Sequence, residues 1–111
     1  MNEKIKAFRE RRETMNKVIL DRDNLNIKRF FGIDSACYRK GALDVKTKEL
    51  LGLVASTVLR CDDCITYHID RCIEEGVSDE EFDETMSIAL IVGGSIVIPH
   101  LRRAYELWTD K

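Results

Sequence analysis

From Glu3 to about Leu20 the apolar residues Ile5, Phe8, Met15, Val18 and Ile19 recur at helical spacing amid dense charge, predicting a surface helix with one buried stripe. The segment "RERRE" within it, residues 9–13, reads as a solvated face held by i,i+4 pairs. After "DRDN" a second helix is expected around Leu25 to Arg39, with Ile27, Phe30, Phe31, Cys37 and Tyr38 as its apolar residues and "KGAL" as its end. Cys37 stands alone there and reads as a small core hydrophobe. Asp44 can cap a third helix, Val45 to about Leu59, whose middle "LLGLVA" is apolar nearly all round. Such a helix is buried on most faces. A fourth helix is expected from about Asp62 to Glu75, closed by Gly76 as a left-handed cap. "SDEE", Ser78 to Glu81, is a capping box that opens a fifth through Ile91. "GGS", Gly93 to Ser95, breaks the pattern, and a last helix, started or kinked by Pro99, runs to about Thr109 with Leu101, Tyr105 and Trp108 on its stripe. No β-alternation extends beyond a few residues. The expectation is an all-α domain of about six helices over residues 1–111.

Composition narrows the function classes. The 111 residues are 44% hydrophobic and 34% charged, with one proline and six glycines, as in a helical globular chain. Eighteen basic residues against twenty acidic ones leave a net charge of −2, so there is no broad field to attract nucleic acid or an anionic membrane. The N-terminal segment lacks the apolar core of a signal peptide, and no stretch reaches the roughly 18 apolar residues needed to span a bilayer. A cytoplasmic location is expected. Thiols stay reduced there, so a close cysteine pair reads as redox-catalytic or metal-binding before it reads as a staple. The run "IALIVGGSIVI", Ile88 to Ile98, is too apolar to leave wet and is either core or subunit interface.

The chemistry concentrates in "RCDDCITYHIDRC", Arg60 to Cys72, which holds three of the four cysteines and one of the two histidines. Cys61 and Cys64 form C-x-x-C, His68 follows four residues later, and Cys72 four after that. At about 100° per residue these side chains share an arc of roughly 80° on one helix face. The pair lies at the helix start, where free N–H groups and the macrodipole favour a thiolate. His68 is one turn below Cys64, within reach directly or through one water, whereas Cys61 is about 10 Å away along the axis. Cys72 reads as packed beneath the site. Four groups along one helix cannot close a zinc tetrahedron without a second segment, although an iron–sulfur cluster held by Cys61 and Cys64 between subunits is open to them. Glu49, alone among leucines, has a raised pKa unless a cation sits beside it, and His68 is the natural candidate. His100 reads as a structural histidine or a residue lining a subunit contact.

The pattern E-x11-C-x-x-C-x3-H, realised as Glu49, Cys61, Cys64 and His68, resembles the alkylhydroperoxidase AhpD-like branch of the carboxymuconolactone decarboxylase family. The flanking "KTKELLGLVAS" and "EEGVSDEEFDE" are similar too, and the likeness covers about residues 43–107. The resemblance implies an all-helical subunit assembled into trimers or hexamers, carrying a redox dithiol. It implies that Glu49 orients and charges His68, that His68 takes the proton of Cys64, and that Cys61 closes the disulfide. It also implies a disulfide or hydroperoxide substrate and a thiol reductant, protein or small molecule. One departure is visible: the AhpD-type motif often has a histidine just before the second cysteine, where this chain has Asp63, an anion that opposes thiolate formation. The decarboxylase branch lacks the cysteine pair, so lactone decarboxylation is poorly supported. The competing classes are an electron carrier with a metal or iron–sulfur centre on the same cysteines, and a non-catalytic oligomeric scaffold.

Overall fold

Five of the six α-helices among the described residues start where the sequence places a side chain able to accept a free first-turn N–H. In the computed structural model, which describes residues 2–111, Asn2 caps α1 (Glu3–Asp21), Asn24 caps α2 (Leu25–Cys37) and Asp44 caps α3 (Val45–Val58). The sulfur of Cys61 caps α4 (Asp62–Glu74), and Ser78 with Glu81 forms the expected capping box at α5 (Asp79–Gly93). A 3₁₀ turn over Ser95–Val97 leads into α6 (Ile98–Thr109), whose Pro99 sits in the first turn, where a missing N–H costs nothing. No strand occurs among the described residues. The all-α expectation holds.

α3 is the hub of the packing, lying along both α4 and α5, while α6 and α1 close over α4. The apolar centre joins Leu53 of α3, Ile65, Ile69 and Cys72 of α4, Phe82 and Met86 of α5, and Ala104 and Trp108 of α6. Phe82 stacks flat on Trp108 with ring centres 4.2 Å apart, and Tyr105 meets its edge at 5.0 Å. Cys72 is fully buried, as expected, and burial pushes its thiol up to about 12, which makes it an inert packing group.

Two helices depart from expectation. Only Ile5 of the α1 stripe is buried, while Met15, Val18 and Ile19 stay exposed. The arginines of "RERRE" are more than a solvated face. Arg9 makes a two-pronged pair with the buried Asp70 of α4, at 3.0 and 2.6 Å, and also reaches Glu74 at 2.9 Å. α2 is the larger departure: none of its thirteen residues is buried, Phe30 is 72% exposed, and Cys37 is exposed rather than a core residue. Periodicity tells which face of a helix is apolar, not what covers it. The C-terminal end of α2 is tied down by Lys48 of α3, which donates to the carbonyls of Cys37 and Arg39 at 2.8 and 2.5 Å. In the run 88–98, Ala89 and Val97 are buried while Ile88, Ile91, Val92 and Ile96 face outward. Ile88 and Val92, together with Leu51 and Leu59, border an apolar groove of about 620 Å³ between α3 and α5.

Candidate active site

The α3–α4 junction sets the position of the cysteine pair. α3 ends in a Schellman turn: the N–H of Arg60 bonds to the carbonyl of Thr57 at 3.0 Å, and that of Cys61 to the carbonyl of Ser56 at 3.1 Å. This turn needs a left-handed residue, and Arg60 takes it at φ 61°. A non-glycine residue pays about 1–2 kcal/mol for that conformation. Gly76 fills the same role after α4 at φ 74° without that cost. The turn delivers Cys61 to the start of α4, where its Sγ accepts the N–H of Cys64 at 3.3 Å. Both thiols are free, Cys61 half-buried and Cys64 exposed.

The helix end does not ease ionisation of Cys64, contrary to expectation. Its thiol is pushed up to about 11, by partial burial first, then by its hydrogen bond with Cys61 and the charges of Cys61 and Asp63. The helix-end N–H lowers it by less than these raise it. Asp63, the residue that departs from the AhpD-type motif, is thus one of the causes.

Three positions named from the sequence, Glu49, Cys64 and His68, come together, and Cys61 adjoins them through the N–H of Cys64. Glu49 is only 2% exposed and sits on the face of α3 that meets α4, and its Oε1 lies 2.8 Å from Nδ1 of the buried His68. Arg71 brings its Nε to 3.9 Å from Oε2 of Glu49. The buried carboxylate therefore has two cationic or donor neighbours, which is what its burial requires. Cys64 and His68 face a common cleft of about 560 Å³. Among the described residues no direct hydrogen bond joins them. No cluster of three or more His, Cys, Asp or Glu side chains is placed to hold a metal among the described residues. His100 bonds through Nδ1 to Asp62 Oδ1 at 2.7 Å, and Arg103 to Asp62 Oδ2 at 2.9 Å, so α6 steadies the start of α4 beside Cys61.

The periodicity reading missed Gly52, Tyr38 and Arg71. Gly52 is three residues after Glu49 and shares its helix face. A Cβ there would stand 2.5 Å from Cε1 of His68 and 2.7 Å from Oη of Tyr38. The glycine is what lets the imidazole lie against α3. The signal was present as a lone glycine inside an apolar helix, which marks close approach. Tyr38, held by the Lys48-capped end of α2, places its ring 5.4 Å from that of His68, and Tyr67 meets His68 edge-on at 5.1 Å. Burial, and next the charge of Glu49, raise the pKa of Tyr38, so its hydroxyl remains a donor.

Gly52→Ala tests this geometry because two effects oppose. In an ordinary helix interior the change stabilises by about 1 kcal/mol; here the methyl must drive His68 from its contact with Glu49. We expect loss of activity of about 10²-fold, the scale of a 1 Å misplacement, without a gain in thermal stability. A more stable variant of undiminished activity would show that the ring does not lie where the structure puts it.

The carboxymuconolactone decarboxylase family model matches residues 27–107. Two crystal structures of a protein from Thermotoga maritima resemble the chain at TM-scores of 0.92 and 0.86 with 65% and 66% identity. They cover 95% and 94% of this chain, and the matches take in 92% and 88% of theirs. One of the two is described as a carboxymuconolactone decarboxylase family protein, for which a part in an antioxidative response has been suggested. A Legionella pneumophila protein of the same family shares the fold at a TM-score of 0.87 and 24% identity, over 98% of this chain and 97% of its own. In sequence, the chain is 32% identical to an alkyl hydroperoxide reductase AhpD of Corynebacterium aurimucosum over 62 residues, 56% of this chain and 35% of the reductase. It spans about a third of that relative's length. It is also 27% identical over 75 residues to a protein of the cox locus of Paracoccus denitrificans, 68% of each chain. By its fold, by its buried glutamate–histidine pair beside a C-x-x-C, and by the family model that matches most of its length, the chain belongs to the carboxymuconolactone decarboxylase family.

Proposed function

We propose that the protein is a thiol–disulfide oxidoreductase of the AhpD-like type, acting on disulfides or hydroperoxides through Cys61 and Cys64 with His68 and Glu49 as proton relay. The observation that carries this reading is the cleft lined by both Cys64 and His68, with Nδ1 of the imidazole tied to buried Glu49. An ionised Glu49 only accepts, so Nδ1 of His68 carries the hydrogen and Nε2 keeps a lone pair for the proton of Cys64. That transfer matters because the thiol otherwise stays protonated at neutral pH. The proton crosses by a water or a substrate atom in the cleft.

With a disulfide substrate, the Cys64 thiolate attacks one sulfur, the substrate S–S bond breaks, and the departing thiolate takes up a proton. Cys61 then attacks the mixed disulfide, releasing the second thiol and leaving the Cys61–Cys64 disulfide. With a hydroperoxide, Cys64 takes the terminal oxygen as a sulfenic acid, an alcohol departs, and Cys61 closes the disulfide with loss of water. A protein or small-molecule thiol returns the pair to the dithiol in either case.

The working form is a homo-oligomer, for which the family resemblance implies a trimer or hexamer. An isolated helix of the length of α2 is marginal in water, yet none of its residues is buried within the chain. The accessible surface is 7363 Å², against about 6,300 Å² expected of a compact monomer of 12.8 kDa. Radius of gyration agrees: 14.6 Å against about 13 Å. Light scattering at micromolar concentration is expected to report an assembly of three or more chains; a monomer would remove this support.

The deciding assay offers the purified protein a small disulfide and an organic hydroperoxide under one thiol reductant. Consumption of either supports the oxidoreductase. Turnover of neither, together with visible absorbance in anaerobically purified protein, would favour a cluster held by Cys61 and Cys64 of two subunits, since each chain supplies only two of the four thiolates such a centre takes.

A further inference from the structure

The family match begins at residue 27, so α1 lies outside the segment the family model describes. Yet α1 forms one wall of the cleft that holds Cys64 and His68, through Phe8, Arg11, Arg12 and Met15. The two arginines next to one another in sequence have different fates from Arg9. Arg9 is consumed by Asp70 and Glu74. Arg11 and Arg12 have no carboxylate within ion-pair distance among the described residues. Arg12 is half-buried, and its guanidinium carbon stands 4.1 Å over the centre of the Tyr67 ring, whose edge in turn meets His68. A guanidinium held over an aromatic ring and bonded to no carboxylate keeps its N–H groups for a ligand, which suits a carboxylate.

We propose that Arg12 is a specificity-determining residue that makes the cleft select carboxylate-bearing substrates with a short apolar stem. This rests on the oxidoreductase reading of the same cleft and deepens it. The cleft is not uniformly positive, because Asp34 and Asp63 also line it. Asp63 adjoins Cys64 in sequence, whereas Arg12 sits on Tyr67. Asp34 acts on Tyr38 and Tyr67 and so lies on the same side, and Arg12 is the cation that would receive a substrate carboxylate there, at the α1 wall and away from Asp63, with the reacting atom at Cys64. A cation on the same stem meets Arg12 and is disfavoured.

The test uses three disulfides with matched two-carbon stems: 3,3′-dithiodipropionate, a dianion; bis(2-hydroxyethyl) disulfide, neutral; and cystamine, a dication. In the wild-type protein kcat/KM is expected to fall in that order. Arg12→Gln should cut the dianion-to-neutral ratio of kcat/KM by about tenfold or more, and Arg12→Lys should restore part of it, as a charge-assisted contact predicts. A ratio unchanged within twofold in Arg12→Gln would overturn the proposal. A second measurement is independent of turnover: suberate, the all-carbon counterpart of dithiodipropionate, should slow alkylation of Cys64 by iodoacetamide in wild type and much less in Arg12→Gln. Protection that is absent, or equal in both, also overturns it. If no disulfide is reduced at all but suberate protects in an Arg12-dependent way, the redox reading fails and the anion site stands.

Discussion

Cys61→Ser and Cys64→Ser are each expected to reduce disulfide- or hydroperoxide-linked turnover to background, the largest effect of any single change in this protein. One sulfur cannot complete an intramolecular disulfide, and the two sit three residues apart with the N–H of Cys64 on Cys61 Sγ. The variants should differ in what they leave behind. Cys61→Ser retains a Cys64 that can form a mixed disulfide with substrate but cannot resolve it, so mass spectrometry should find the adduct. It also removes the Cys61 thiol, whose hydrogen bond and charge add to the larger effect of burial in raising the pKa of Cys64. The sign follows: relieved of that charge, Cys64 ionises at lower pH, and its alkylation curve shifts toward neutrality. In wild type, alkylation of Cys64 should climb about tenfold per pH unit from neutral pH toward 10, as the thiolate fraction does. Cys37→Ser, on the exposed end of α2, should keep its turnover. Either active-site serine variant retaining most of the wild-type rate would falsify the dithiol mechanism.

Glu49→Gln is expected to slow the reaction by about 10² to 10⁴, the typical worth of a general-base pathway, with the fold intact. The amide keeps the shape and the contact to His68 at 2.8 Å but removes the charge. An imidazole beside an amide holds the proton of Cys64 less well than one beside a carboxylate, so thiolate formation moves to higher pH. Arg71, at 3.9 Å on the other oxygen, then faces a neutral group and cannot compensate. His68→Ala should show a similar defect, and the double variant should be little worse than either single one, because residues that act as one relay are not additive. Rates within a factor of two of wild type, with an unmoved thiol titration, would leave Glu49 a structural carboxylate.

Much of this site was readable because its parts are local. Cys64 and His68 lie one turn apart on α4, so helical geometry alone puts them on one face, and Cys61 adjoins them as the cap of that helix. Glu49 was suggested by a physical conflict, a lone carboxylate in an apolar helix, which has to be resolved by a partner. The caps at Asp44 and Ser78 and the turn at Gly76 were equally legible, since each is decided by side-chain chemistry within a few residues. Arg60 was not legible, because nothing local marks an arginine as the left-handed residue of a turn that glycine usually fills.

What the sequence determined by itself is the set of helices, the caps at Asp44, Gly76 and Ser78 and the C-x-x-C-x3-H spacing, all consequences of interactions within a few residues. What only the tertiary structure decided is how distant segments meet. It brings Glu49 and Gly52 of α3 against His68 of α4, and Tyr38 from the end of α2 beside them. It turns two of the arginines of α1 onto α4, and it leaves the apolar residues of α2 uncovered within one chain. Periodicity fixes the direction in which a side chain points from its own helix axis; the partner it finds depends on how the axes pack, and that is set by the whole core at once.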